Sequence, residues 1–222
     1  LTWDLDGPAP SERFDLVVPP YWGGNRQLAQ LEGVDTRLVQ WKSIGYNGVT
    51  KYLPAEVPLA NAATVHETST AELALALTLA AQRGIPEFVR DATEHRWDLR
   101  SFPSLADRRV LLIGYGGVSK AIEARLAGFE VSIARLARTA REETNLAGET
   151  VVVHGFSELH TQLAQAEIVI LAVPLTDETR CGTWAVPADR HRTGRSSAAC
   201  SDADADAEPF LLLTPRCCCC CC

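Results

Sequence analysis

Short apolar runs alternate with polar stretches along the first sixty residues. Leu1–Leu5 and Phe14–Val18, each closed by Asp or Pro, predict strands, as do Thr36–Trp41 and Val57–Asn61. Between them, Gly24–Gly33 puts Leu28, Ala29 and Leu31 on one helical face, and Tyr46–Leu53 predicts a short helix. Alternation of this kind predicts parallel βα units.

The clearest helix follows. Ser69-Thr70-Ala71-Glu72 has the spacing of a capping box, in which hydroxyl and carboxylate each satisfy an orphan amide. Ala71–Arg83 is then Ala and Leu on nearly every face, which predicts a buried helix stopped by Gly84 and Pro86. Glu87–Trp97 predicts a second helix, charged on one side, and Arg100–Pro103 a boundary loop. A second βα series begins at the buried strand Arg109–Ile113. It continues through a glycine turn at Gly114–Gly117, a helix at Val118–Leu126, strands at Glu130–Ala134 and Val151–Val153, a helix at Ser157–Gln165 and a strand at Ile168–Val173. With no further strand in view to pair with Ile168–Val173, that run is expected to be an exposed apolar edge, which invites aggregation.

Beyond Arg180 the periodicity stops. Residues 181–222 hold an Asp-Ala repeat at 201–207, one apolar patch at Phe210–Leu213 and six consecutive cysteines at Cys217–Cys222. Low complexity of this sort predicts a disordered tail, and its break in composition suggests a frameshifted reading of GC-rich DNA. The bias of 18 Arg over 3 Lys, with abundant Ala, fits the same base composition.

Composition narrows the function classes. With 46% hydrophobic and 22% charged residues over 222 positions, the chain is globular in character and long enough for one large domain or two small ones. No apolar run reaches the ~18 residues of a membrane span, and no basic-then-apolar leader opens the chain, so a cytoplasmic protein is expected. The lack of Met even at position 1 gives the beginning a cut look. A net charge of −7 disfavours nucleic acid as a partner. All eight cysteines lie at or beyond Cys181, so no disulfide framework staples the body, and adjacent cysteines lack the gaps that let thiolates surround a zinc ion. No metal site is expected.

The leading motif is Gly114-Tyr115-Gly116-Gly117-Val118-Ser119, after a strand and before a helix. The first glycine permits the tight turn, and the second lets a pyrophosphate approach the backbone. The helix N-terminus offers amides and a positive dipole end, while Ser119 stands where the fingerprint has its third glycine. The alternative is a plain structural turn. About 20 residues on, where an acid would bind the ribose hydroxyls of NAD, the chain has Arg135, with Arg138 and Thr139 beyond it. Guanidinium groups suit a 2′-phosphate, so NADP is favoured over NAD unless these arginines are solvated surface charges.

Four stretches resemble the D-isomer-specific 2-hydroxyacid dehydrogenases, a group that includes phosphoglycerate dehydrogenases and glyoxylate/hydroxypyruvate reductases. They are Val39-Gln40-Trp41-Lys42-Ser43-Ile44-Gly45-Tyr46-Asn47, Asn61–Leu77 with its Ser-Thr-Ala-Glu, the glycine turn, and Val173-Pro174-Leu175-Thr176-Asp177-Glu178-Thr179. The resemblance spans residues 36 to 180. It implies an α/β protein with a flavodoxin-like substrate domain and a Rossmann domain, here incomplete, with the cofactor in the cleft between. The expected division is a partial substrate domain at 1–68, interdomain helices at 69–100, the incomplete Rossmann domain at 101–180 and the aberrant tail at 181–222.

The resemblance also assigns roles. Ile44 and Gly45 match the loop whose amides hold the substrate carboxylate, although Asn47 stands where the family usually has Asp. Thr70 matches a residue touching the cofactor, and Gly116, Gly117 and Val118 match the pyrophosphate turn. Val173 and Pro174 match the strand end beside the nicotinamide ribose, against the alternative of a buried strand terminus. The family's catalytic Arg, Glu and His all lie downstream of the Pro-Leu-Thr segment. His191 and Glu208 lack family-like surroundings, and His66, His95, His154 and His160 read as surface or packing residues. No catalytic residue is therefore assigned. The implied function is hydride transfer between NAD(P) and a 2-oxo or 2-hydroxy acid, by a family that commonly forms homodimers, with this chain inactive as written. The alternative is a non-catalytic NAD(P)-binding regulatory module.

Overall fold

The computed structural model describes residues 2–22, 24–174, 176 and 179, together with the backbone of 211–213. These residues fall into two compact units, one running up to His66 and also taking in Pro174, the other formed by Glu67–Val173 with the strand at 211–213.

In the first unit the predicted strands pair in parallel, but each is only two residues long. Strand β1 (Arg13–Phe14) pairs with β2 (Asp35–Thr36), and β3 (Val39–Gln40) with β4 (Leu59–Ala60). Val17 adds a parallel bridge to Val39. The predicted helices are 3-10 turns at Asn25–Leu31 and Val49–Lys51. Glycines on either side, including Gly48 at φ +69°, leave too few residues to offset the cost of nucleating an α-helix. Among the described residues no strand forms over 2–5, because Leu5 takes φ +57° and turns its side chain into the core. There it joins Leu28, Leu31, Val39, Trp41 and Val49.

The second unit opens with α1 (Glu67–Gln82) and α2 (Ile85–Thr93). Ser69–Glu72 therefore lies inside the first turns of α1 and does not cap it. The helix is also one-sided, correcting the expectation of burial all round. Ala71, Ala74 and Thr78 are buried, whereas Leu73 and Leu77 are 53% and 41% exposed. The small buried residues let α1 lie close along α3 (Gly117–Leu126). Pro86 begins α2 and does not merely end α1, since a proline in the first helical turn lacks only an amide that would be orphaned anyway. Helix α2 stops short of Trp97. His95 adopts φ +52°, and the buried Asp91 carboxylate draws Arg96 and Arg100 onto itself.

Strand β5 (Arg109–Ile113) is flanked in parallel by β6 (Ser132–Leu136) and β9 (Ile168–Leu171). Strand β6 starts two residues later than the pattern predicts, because Glu130 sits at φ +56°, outside the extended region. Between them, β7 (Arg141–Thr144) and β8 (Thr150–Val153) form an antiparallel hairpin, and a parallel bridge from His154 to Leu136 joins it to β6. The spatial succession β8, β6, β5, β9 is half of a doubly wound sheet. Helix α4 (Leu159–Gln165) packs on β5. Val110, Leu112, Ile122, Leu126, Val153 and Ile170 lie in the core.

The naked edge expected at Ile168–Val173 is also corrected. Strand β10 (Leu211–Leu213) runs antiparallel along β9, with Leu212 opposite Ile170. Free N–H and C=O groups on a sheet edge recruit an extended segment, and here one comes from the stretch expected to be disordered throughout. The rest of 181–222, including His191, Glu208 and the six cysteines, lies outside the described residues.

Candidate functional site

The glycine turn is shaped by contact on one side and openness on the other. Gly114 has φ +89°. A Cβ there would collide with the Ala172 carbonyl and come within 2.7 Å of Val173 Cγ1, so only glycine fits. Its amide donates to the Leu136 carbonyl at 2.8 Å. The buried Ser119 hydroxyl donates to the Gly114 carbonyl, so Ser119 braces the turn from within. Gly116 is the extended N-cap of α3, and a Cβ added to it would meet nothing within 4 Å. The backbone is therefore open to a phosphate group where the first amides of a ten-residue helix emerge. These residues fit a dinucleotide pyrophosphate. Glu67 Oε1 lies 2.9 Å from where a Gly117 Cβ would stand, so a carboxylate borders the turn on its other side. Val118 and Thr70 are half-buried, Thr70 on the helix that packs along α3.

Beneath the turn lies a charged network. Tyr115, 4% exposed, donates its hydroxyl to Glu123 Oε2 at 2.6 Å. Arg135 grips the same carboxylate through Nε to Oε2 at 2.9 Å and Nη2 to Oε1 at 2.7 Å, and Asn145 Nδ2 donates to Oε1 at 3.0 Å. Burial pushes the Glu123 carboxyl up, but the bonds from Arg135, Tyr115 and Asn145 outweigh it and hold it below the usual range. Burial, then the Glu123 bond, raises the Tyr115 phenol to about 12. Arg135 is thus turned toward α3 from within β6, which continues to Leu136, and not toward a ribose beyond the strand end. This corrects the role expected of it.

Arg138 does lie past the end of β6 and is exposed. Sequence reasoning missed Arg141, three residues further on. Its Nη2 donates to the Tyr115 carbonyl in the glycine turn at 3.0 Å. The signal available was the spacing of the two arginines after the strand, but only the hairpin brings the second one back to the turn.

In the first unit, the loop at Ser43–Gly45 is braced through its carbonyls. The Trp41 indole donates to the Gly45 carbonyl at 2.9 Å and to Ser43 Oγ at 3.0 Å. Ser43 Oγ donates to the Gly45 carbonyl at 2.6 Å, and Asn61 Nδ2 donates to the Ile44 carbonyl at 3.0 Å. The amides of Ile44 and Gly45 are the groups the resemblance assigns to a carboxylate. Alongside, Lys42 Nζ donates to the Pro20 carbonyl and lies 5.0 Å from the Trp41 ring centre, and burial lowers its pKa. After β9, Val173 abuts Gly114, and the Pro174 carbonyl accepts from Thr179 Oγ1 at 2.7 Å.

The four described histidines have structural partners or lie on the surface. His66 Nε2 donates to the Lys42 carbonyl at 2.9 Å, His154 Nδ1 donates to Glu158 Oε2 at 2.9 Å ahead of α4, and His95 and His160 are exposed. Among the described residues no three His, Cys, Asp or Glu side chains cluster as a metal site, and no helix is long and apolar enough to cross a membrane.

Residues 75–182 match the family model for the D-isomer specific 2-hydroxyacid dehydrogenase NAD binding domain. A glyoxylate reductase from Pyrococcus horikoshii is 29% identical over 154 residues, covering 64% of this chain and 45% of that protein. The NADPH-dependent glyoxylate/hydroxypyruvate reductase of Sinorhizobium meliloti, solved with NADP and sulfate, superposes with a TM-score of 0.61 at 22% identity, over 75% of this chain and 51% of that one. A D-isomer specific 2-hydroxyacid dehydrogenase from Xanthobacter autotrophicus, solved with NADPH and MES, gives 0.56 at 27% identity over the same shares. The chain spans about half the length of these relatives.

Proposed function

Because this chain belongs, through residues 75–182, to the D-isomer specific 2-hydroxyacid dehydrogenases, we propose that it is the cofactor-binding and substrate-loop portion of an NAD(P)-dependent 2-hydroxyacid dehydrogenase. The observation that carries this is the open Gly116 at the head of α3, next to a Gly114 that admits no side chain. A bound nicotinamide supplies hydride to a 2-oxo acid or takes it from a 2-hydroxy acid. The chain's own residues bind and orient. Gly116, Gly117 and Val118 receive the pyrophosphate on their amides, and Ser119 holds Gly114 in place. Thr70, Val173 and Pro174 border the cofactor, and the amides of Ile44 and Gly45 hold the substrate carboxylate.

Arg138, exposed past the end of β6, and Arg141, bonded to the Tyr115 carbonyl, favour NADP over NAD. No described histidine stands in the setting the family uses for proton transfer, and binding of cofactor without reduction of substrate is part of this proposal. A homodimer in the cytoplasm is part of the same proposal. The test is titration of the purified chain with NADPH and NADH by energy transfer from tryptophan, followed by addition of glyoxylate or hydroxypyruvate while nicotinamide absorbance is followed. Binding with NADPH preferred and no oxidation is expected. Failure to bind either nucleotide overturns the cofactor site, and family-like oxidation overturns the lack of turnover.

A further inference from the structure

The hairpin carries a carboxylate where an anionic ligand would be expected. Lys120, on the first turn of α3, donates its backbone amide to the Gly116 carbonyl at 3.0 Å, so it belongs to the glycine-turn corner. Arg141 belongs to the same corner through the Tyr115 carbonyl. Glu143 joins the two, with Oε1 2.6 Å from Lys120 Nζ and Oε2 2.7 Å from Arg141 Nη2. All three side chains are partly shielded from solvent. The hairpin that brings Glu143 there is fastened further along by Asn145, which bonds to Glu123 on α3. The hydrogen bond from Lys120, reinforced by Arg141 and opposed by burial, holds the Glu143 carboxyl below the usual range, so it is an anion at neutral pH.

We propose that Glu143 is a latch on the 2′-phosphate subsite of the cofactor, standing in for the phosphate between Lys120 and Arg141 until NADP displaces it. A carboxylate using one oxygen on each cation makes the contacts that two oxygens of a phosphate dianion would make, with less charge. NAD has no group to displace it and binds with the latch closed. NADP must break two partly exposed ion pairs, and it recovers both cations as phosphate contacts. The latch thus narrows the preference for NADP that Arg138 and Arg141 create. This inference rests on the cofactor reading above.

The test is calorimetric titration of NADP+ and NAD+ into the full chain and its variants. Glu143→Gln keeps the side-chain shape and removes the competing charge, and it should raise the ratio of NADP+ to NAD+ affinity by about threefold to tenfold. Lys120→Gln should lower that ratio by a similar factor. Circular dichroism reports whether each variant is folded, and should one fail to fold, the other carries the test. A ratio that stays level or falls in Glu143→Gln, or that rises in Lys120→Gln, overturns the latch while leaving the cofactor site intact. Wild-type chain that binds neither nucleotide overturns the cofactor reading and the latch with it.

Discussion

Replacing Arg135 with alanine separates a core ion pair from a cofactor contact. The Arg135 and Glu123 side chains are 16% and 7% exposed and share two hydrogen bonds. Removing the guanidinium leaves a buried carboxylate held only by Tyr115 and Asn145. Breaking a buried pair costs about 3–5 kcal/mol. The two remaining donors, worth ~1 kcal/mol each, hold the loss toward the lower end, at about 3 kcal/mol. For a unit of this size that corresponds to a fall in Tm of roughly 12–20 °C. Urea unfolding followed by circular dichroism measures it. Adding Glu123→Gln to the variant neutralises the stranded charge, leaves its one amide oxygen to accept from Asn145 and its N–H to donate to the Tyr115 hydroxyl, and should recover about half of the loss. A loss below ~1 kcal/mol, with NADPH binding weakened and NADH binding spared, would place Arg135 on the 2′-phosphate and refute the reasoning.

The glycines of the turn should fail differently. Gly114→Ala, strained at φ +89° and driven into the Ala172 carbonyl, should cost about 3 kcal/mol or more, read by urea unfolding. Gly116→Ala, in open space, should leave Tm unchanged while abolishing NADPH binding in the energy-transfer titration, and retained binding would remove the pyrophosphate from this backbone. Stability should also fall at both ends of the pH range. Glu123 and Glu143 have lowered carboxyl pKa values, so their contribution is full above the unfolded value near ~4.3 and is lost as pH drops through the lower folded values. Tyr115 is raised from 10.0 to about 12, so its contribution is full below pH 10 and is lost on the way up to about 12. A pH series of urea midpoints checks both limbs, and Tyr115→Phe should flatten the alkaline one.

What the sequence by itself determined is local. Val110-Leu111-Leu112-Ile113 followed by glycines and then a helical run yields strand, turn and helix, because each of those preferences is written into neighbouring residues. The parallel βα rhythm was legible for the same reason. The starts of α1 and β6 were not, since they depend on single residues such as Glu130 whose backbone angle the surrounding structure selects. Only the tertiary structure decided what the charges do. Arg135 and Arg138 look alike in the chain, yet Arg135 lies within β6 and grips Glu123 on α3 while Arg138 lies exposed past the strand end, because the partner of Arg135 arrives from another element. Arg141 reaches the glycine turn only because the β7–β8 hairpin folds back. Leu211–Leu213 finds β9 some forty residues away because an unpaired edge offers hydrogen bonds at whatever separation the chain can span. Local propensity is carried by adjacent residues, whereas the partner of a charge or of a sheet edge is set by where distant segments come to rest.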